Sequence, residues 1–189
     1  DRFLANPDKR LVQVGWWLRR LTAIDRLPLG TGAPVHYRKL RLIPGFAPDA
    51  SAHLDHLRRL ESEAEGLPLP EGPLDVETRP HVPNDAYDEL LSENVAFVQL
   101  HAASANNVVV ECLARGTPLL VNRLPAVEEY LGPDYPMFYA DLADAAAQAV
   151  DLSRLRAAHE YLRDSPLRAR LSAEVFRRDM EQSEVYQRL

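Results

Sequence analysis

The apolar runs of this chain are short and separated by loops rich in Pro, Gly and Asn, and their order is clearest between Val95 and Gly132. There the segments are VAFVQL, HAASANN, VVVECLARG, TPLLVN and RLPAVEEYLG. The first and fourth are continuous apolar runs of the length and β-rich content that buried parallel strands have. The third reads as a helix. Ser104, Asn106 and Asn107 supply N-cap chemistry at its start, and Gly116 stands where a left-handed C-cap precedes the apolar run Pro118 to Val121. The stretch predicts strand, loop, helix, strand, loop, helix, which is a βαβ unit with a right-handed crossover. Ligands on such sheets bind beyond the carboxyl ends of the strands, so residues 101–107 and 122–129 are expected to line one rim.

The same reading extends along the chain. Leu11 to Trp17 (LVQVGWW) predicts a central first strand, with Gly15 permitting a sharp turn or a close backbone approach and both tryptophans packing. Residues 27–34 (LPLGTGAP) form a loop whose G-x-G is too weak to be a phosphate fingerprint. Tyr37 to Ile43 (YRKLRLI) alternates polar with apolar, which predicts a half-exposed second strand with its three cations on a solvated face. A helix follows from Ala50 to Glu65, with Leu54, Leu57 and Leu60 facing the core. After a Pro-rich connector over 66–74, Val76 to Val82 is the third strand, held to an edge or a bulge by Pro80. Tyr87 to Glu93 is a short helix. Beyond Gly132 come a strand at Pro136 to Ala140 and an alanine-rich helix at Leu142 to Val150. A further helix, capped by Asp151 or Ser153, carries Leu155, Ala158, His159 and Leu162 on one face. Ser165 and Pro166 start a terminal helix with the stripe Leu167, Leu171, Phe176 and Met180. The pattern as a whole predicts an α/β three-layer sandwich: a Rossmann-like, mostly parallel sheet of about six strands with helices on both faces, spanning 1–189 as one domain.

Composition narrows the function. The 189 residues suffice for one domain with a substantial core. A net charge of −6 argues against a nucleic-acid partner, because there is no basic excess to release phosphate counterions. The single cysteine excludes an internal disulfide, which suits a reducing, cytoplasmic location. No run reaches the length of a membrane span and no signal-peptide pattern opens the chain. The chain begins at Asp1 without methionine, as a domain trimmed from a longer protein would. His53 and His56 lack a third ligand nearby, so no metal site is expected. Zinc, P-loop and Ser-His-Asp hydrolase patterns are absent from the sequence.

One stretch carries a family resemblance. ASANNVVVECLARGTPLLVNRLPAVEEYLG resembles the donor-binding half of GT-B fold glycosyltransferases, in which a helix Glu is followed by a small-residue A-x-G-x-P step, a strand and a loop approaching the donor. Glu111, Ala114, Gly116 and Pro118 match in type and spacing, and NPDKRLVQVGWWLRR resembles the family's first strand and phosphate-side loop. The resemblance covers roughly residues 7–150. It implies a nucleoside diphosphate sugar as substrate, no cofactor, no bound metal, and an amino-terminal acceptor-binding domain that is not in this sequence. One feature departs from it. Many retaining members carry a second Glu eight positions before the helix Glu, and that position here is Ala103.

On this resemblance Gly15, Arg19, Arg20, Ser104, Asn106, Asn107, Glu111 and Glu128 are the expected donor-binding residues. Arg19 or Arg20 would reach the diphosphate, since a guanidinium pairs two phosphate oxygens at once; the alternative is a solvated helix start. Glu111 would accept both ribose hydroxyls; the alternative is a surface ion pair with Arg115 four residues on. Ser104, Asn106 and Asn107 stand where a helix N-terminus attracts anions, a role compatible with simple capping. His101 would face the transferred sugar or be structural. Glu128 or Glu129 would touch the donor or merely complement a helix start. The resemblance also implies that Pro83-Asn84-Asp85 forms the loop meeting the base, and that the terminal helix crosses back to the absent domain. The expected function is sugar transfer from a nucleoside diphosphate, with two rivals: a non-catalytic binding or regulatory module, and a nucleotide-sugar epimerase or hydrolase on the same fold.

Overall fold

A computed structural model describes residues 2–29, 38–42, 49–71, 75–79, 81–103 and 107–188. Its strands are β1 (Arg10–Gln13), β2 (Arg38–Leu42), β3 (Val76–Arg79), β4 (Val95–Val98), β5 (Leu119–Asn122) and β6 (Phe138–Tyr139). They form one sheet in the order β3-β2-β1-β4-β5-β6, and every neighbouring pair is parallel. The helices are α1 (Arg2–Ala5), α2 (Ala23–Arg26), α3 (Ala50–Glu65), α4 (Asn84–Glu93), α5 (Asn107–Arg115), α6 (Pro125–Leu131), α7 (Leu142–Ala149), α8 (Leu152–Asp164), α9 (Pro166–Arg170), α10 (Ala173–Glu181) and α11 (Glu184–Gln187). The chain moves outward from β1 to β3, then returns to the centre and moves the other way from β4 to β6. With right-handed crossovers, α2 and α3 cover one face of the sheet and α5 and α6 the other. The reversal between β1 and β4 is the topological switch point, the place where this strand order leaves a crevice.

The centre is dry. Leu11 and Val12 of β1, all of β4, and Leu119 to Val121 of β5 are buried, and α5 seals them with Val108, Val109, Cys112 and Leu113. At the end of α5, Gly116 takes φ +71, and Thr117 N–H returns to the Cys112 carbonyl at 2.9 Å. The glycine therefore ends the helix by adopting a left-handed conformation that other residues resist. On α8, Leu155, Ala158, His159 and Leu162 are the buried face, as their spacing predicts, and Asp151 is its cap, accepting from the N–H groups of Ser153 and Arg154.

Several expectations are corrected. β1 stops at Gln13 rather than running to Trp17, because Gly15 at φ +75 and Leu18 at φ +58 turn the chain into a tight loop. The second strand does not carry all its cations on a solvated face. Lys39 and Arg41 are buried: Lys39 Nζ donates to the Leu27 carbonyl at 2.7 Å and Arg41 donates to Asp25 at 2.6 Å. Asp25 in turn bridges to Arg58 on α3 at 2.8 Å, and its side chain is fully buried. Leu60 points away from the core, at 46% exposure, while Leu54 is buried. Helix α4 begins at Asn84, so Asn84 and Asp85 form a helix start instead of a loop. The terminal helix is three pieces. Ser172 and Ser183 each accept a hydrogen bond from an N–H three residues on and restart the helix. Leu171, Phe176 and Met180 of its stripe are left exposed.

Candidate functional site

The two loops that leave the carboxyl ends of β1 and β4 are laced together at the switch point. Arg20 N–H donates to the Gln99 carbonyl at 2.8 Å, His101 N–H donates to the Leu18 carbonyl at 3.0 Å, and Arg19 and Leu100 form an antiparallel bridge between them. A leucine in left-handed backbone is costly, and these bonds fix Leu18 in place. From the neighbouring strand, Asn122 clamps Leu100 on both sides, accepting from its N–H at 2.7 Å and donating to its carbonyl at 3.0 Å. Gln13, fully buried in β1, donates to the Arg20 carbonyl at 3.1 Å. The rim is therefore built from backbone groups held by side chains that reach up from the sheet.

Arg19 leaves this rim beside Gly15. A Cβ placed on Gly15 would lie 2.8 Å from the Arg19 guanidinium carbon, so only glycine lets the arginine lie against the backbone there. Arg19 Nη1 donates to the Trp17 carbonyl at 2.9 Å. Burial pushes the guanidinium pKa down, and the neighbouring Tyr87 and Glu111 push it back up. Arginine stays charged through such shifts, so Arg19 presents a fixed cation at the crevice.

Glu111, on α5, is near enough to act on this cation electrostatically. Its Oε2 accepts the Tyr87 hydroxyl of α4 at 2.5 Å, and burial, then this bond, push the tyrosine pKa up, so the phenol stays a donor. A carboxylate offers about four lone-pair positions, and Tyr87 takes one. Arg115 is not the partner of this carboxylate. It donates instead to the Glu111 carbonyl at 3.1 Å and pairs with Asp88. The arrangement can bind one ligand bearing both an anionic group, for Arg19, and paired hydroxyls, for Glu111. Tyr87 had no local signal in the sequence, being 24 positions away on another helix.

The other expected residues are distributed as follows. Arg20 turns toward α3 and pairs with Glu65. Asn107 is the first helical residue of α5 and is exposed, while Ser104 and Asn106 lie outside the described residues. Glu128 lies in the first turn of α6 and pairs with Arg123, whose guanidinium lies over the Phe138 ring at 4.4 Å. His101 is exposed at the bend after β4 and, with Trp16, Trp17 and Arg19, lines an open cavity of about 300 Å³ on the α3 side. Trp17 does not pack, being 67% exposed; Trp16 is half-buried and meets His53 edge-on. Ala103, where the resemblance expects a second carboxylate, is partly buried against the core. Among the described residues no three His, Cys, Asp or Glu side chains are placed to share a metal ion, and no helix is long and apolar enough to cross a membrane.

No protein-family model matches the sequence, and no curated protein is significantly similar to it. Solved structures do match the fold. A UDP-forming α,α-trehalose-phosphate synthase from Burkholderia xenovorans aligns with TM-score 0.61 over 92% of this chain at 16% identity. The sucrose-phosphate synthase of Thermosynechococcus elongatus aligns with TM-score 0.66 over 98% of it, also at 16%. An Escherichia coli trehalose-6-phosphate protein bound with UDP-2-fluoro glucose aligns with TM-score 0.59 over 93%. The chain spans 43%, 46% and 44% of those proteins respectively, so it corresponds to less than half of each. At these identities the likeness is one of fold, and it is the fold found in GT-B glycosyltransferases.

Proposed function

We propose that this chain is the nucleotide-sugar donor-binding half of a glycosyltransferase that moves a sugar from a nucleoside diphosphate to an acceptor hydroxyl. The observation that supports the reading is the placement of Arg19 on the loop after β1 and of Glu111 on the helix after β4, flanking the switch point, with the Glu111 carboxylate near enough to raise the Arg19 pKa. Glu111 accepts the ribose hydroxyls with its remaining lone pairs, held in one orientation by Tyr87. Arg19, with the N–H groups of the first turn of α5, takes the diphosphate. In transfer, the bond from the sugar's anomeric carbon to the diphosphate oxygen breaks and one to the acceptor oxygen forms. The acceptor proton passes to a base on the other half of the protein, and the leaving diphosphate gathers negative charge. A cation held in place stabilises that charge without reorganising, which is where such a site lowers the barrier. Neither a cofactor nor a metal is required for donor binding on this reading, and a separate amino-terminal domain supplies the acceptor.

The test is calorimetric titration of the chain with UDP, GDP and ADP, with and without EDTA. Binding of at least one diphosphate, unchanged by EDTA, is expected; silence from all three at millimolar ligand contradicts the reading. Ala103 favours a second reading, a non-catalytic binding module, because a carboxylate that many retaining members use is missing. Sugar transfer by the full-length protein separates the two, and the isolated chain is expected to transfer nothing.

A further inference from the structure

Every strand runs the same way, so the amino ends of the sheet form a second rim, opposite the donor crevice. Four arginines meet there around one cavity of about 330 Å³: Arg2 of α1, Arg115 at the end of α5, Arg163 of α8 and Arg168 of α9, with Ser92 and the buried His159 completing the wall. Three of the lining positions stand just before strands: α1 precedes β1, Ser92 precedes β4, and Arg115 precedes β5; His159 and Arg168 reach the same end through the carbonyls of Gly116 and Ala114. None of the lining residues among those described is acidic. This gathering occurs in a chain whose formal net charge is −6.

The known partners of these arginines account for part of the arrangement. Arg2 pairs with Glu89, Arg115 with Asp88, and Arg163 with Asp164, and those three carboxylates are more than half exposed, outside the cavity lining. Arg168 donates to the Ala114 carbonyl at 2.9 Å and the Arg163 carbonyl at 3.3 Å, which orients its guanidinium without neutralising it. His159 is held by its Nδ1 contact with the Gly116 carbonyl at 2.6 Å and by stacking on Phe3, with ring centroids 5.0 Å apart. The cations come from four different elements, α1, α5, α8 and α9. The outer carboxylates offset the charge of three of these guanidiniums from the solvent side, and a multiply charged anion in the cavity would add acceptor oxygens for the N–H groups that face inward. The volume stands at the lower end for ligand pockets, which fits a small phosphoryl compound and not a polymer.

We propose that this cavity is a second ligand site, specific for a small phosphorylated anion and separate from the donor crevice. The proposal does not depend on the donor reading, because the two sites lie at opposite ends of the parallel strands.

The test uses isotope-labelled chain and inorganic pyrophosphate, with inorganic phosphate as a second arm and sodium chloride at matched ionic strength as control. Backbone amide shifts of Ser92, Arg115, Gly116 and His159 are followed beside those of Gly15, Arg19 and His101. Saturable shifts in the first group are expected, stronger for pyrophosphate than for phosphate and absent with chloride. In the double variant Arg163→Gln, Arg168→Gln the pyrophosphate Kd read from those amides should rise at least tenfold, while any UDP-induced shifts at Gly15 and Arg19 stay as in the parent. Shifts confined to the Gly15 group, equal shifts with chloride, or no shift up to millimolar pyrophosphate each overturn the proposal. So does an unchanged Kd in the double variant. Mapping on the parent chain keeps the proposal testable should the variant fail to fold.

Discussion

Tyr87 donates its hydroxyl to the Glu111 carboxylate at 2.5 Å, and this bond ties α4 to α5 beside the crevice at the switch point. The carboxylate is half-buried on an otherwise apolar helix face, with Val108, Val109, Cys112 and Leu113 buried around it. A charged group in that position needs a donor, and Tyr87 supplies one.

Tyr87→Phe removes this donor with little change in shape. Hydrogen bonds to charged groups are worth about 1.5–3 kcal/mol, and a domain of this size loses roughly 2–4 °C of Tm per kcal/mol. A fall of several degrees in thermal unfolding is expected, together with weaker nucleotide binding because Glu111 loses its orientation. An unchanged Tm would mean that the bond contributes nothing to holding the two helices.

Asp25 is the keystone of a buried charge network, bonded to Arg41 at 2.6 Å and Arg58 at 2.8 Å with no exposure of its own side chain. Removing it leaves two buried guanidiniums without their shared counter-charge, and breaking a buried pair in this way costs about 3–5 kcal/mol. Asp25→Ala should therefore lower Tm by roughly 6–20 °C. Asp55→Ala, which removes the half-exposed partner of Arg58, should cost under about 1 kcal/mol. Equal losses in urea or thermal unfolding would contradict the network.

His159 gives a pH dependence with a definite sign. Burial pushes its pKa down, outweighing the opposing effect of the Gly116 carbonyl. The unfolded chain then binds the proton more readily than the folded one, so this residue's contribution falls as pH drops below the ordinary histidine value of about 6.5. Stability of the parent relative to His159→Gln should decline between pH 7 and pH 5. A difference that is flat or grows on acidification, measured by urea unfolding at several pH values, would show that His159 does not titrate as its burial requires.

The sequence made the parallel βαβ architecture legible because its signals are local. The runs at Val95 and Leu119, the left-handed Gly116, and the four-residue face of α8 each declare themselves within a few positions. The bounds of α3 are also as its apolar spacing predicts, Ala50 to Glu65. What stayed hidden depends on distant partners. Arg41 reads as a surface cation until Asp25 and Gln13 are seen to surround it, and the alternative of an i, i+4 pair between Glu111 and Arg115 stays open until Tyr87 and Asp88 are seen to take those places. The breaks in the terminal helix were a local signal that the apolar stripe outweighed: Ser172 and Ser183 are ordinary N-caps.

The account turns on Glu111 as the ribose acceptor, and one comparison tests that most directly. The nucleotide Kd and the Tm are measured for the parent, Glu111→Gln and Arg115→Ala, using whichever diphosphate binds. Losing hydrogen bonds from the charged carboxylate, at about 1.5–3 kcal/mol, predicts a 10- to 150-fold weaker Kd for Glu111→Gln, at roughly 1.4 kcal/mol per tenfold. Its Tm should fall only slightly, because the glutamine oxygen still accepts from Tyr87, and Arg115→Ala should leave the Kd unchanged. Parent-like affinity in Glu111→Gln would contradict the account.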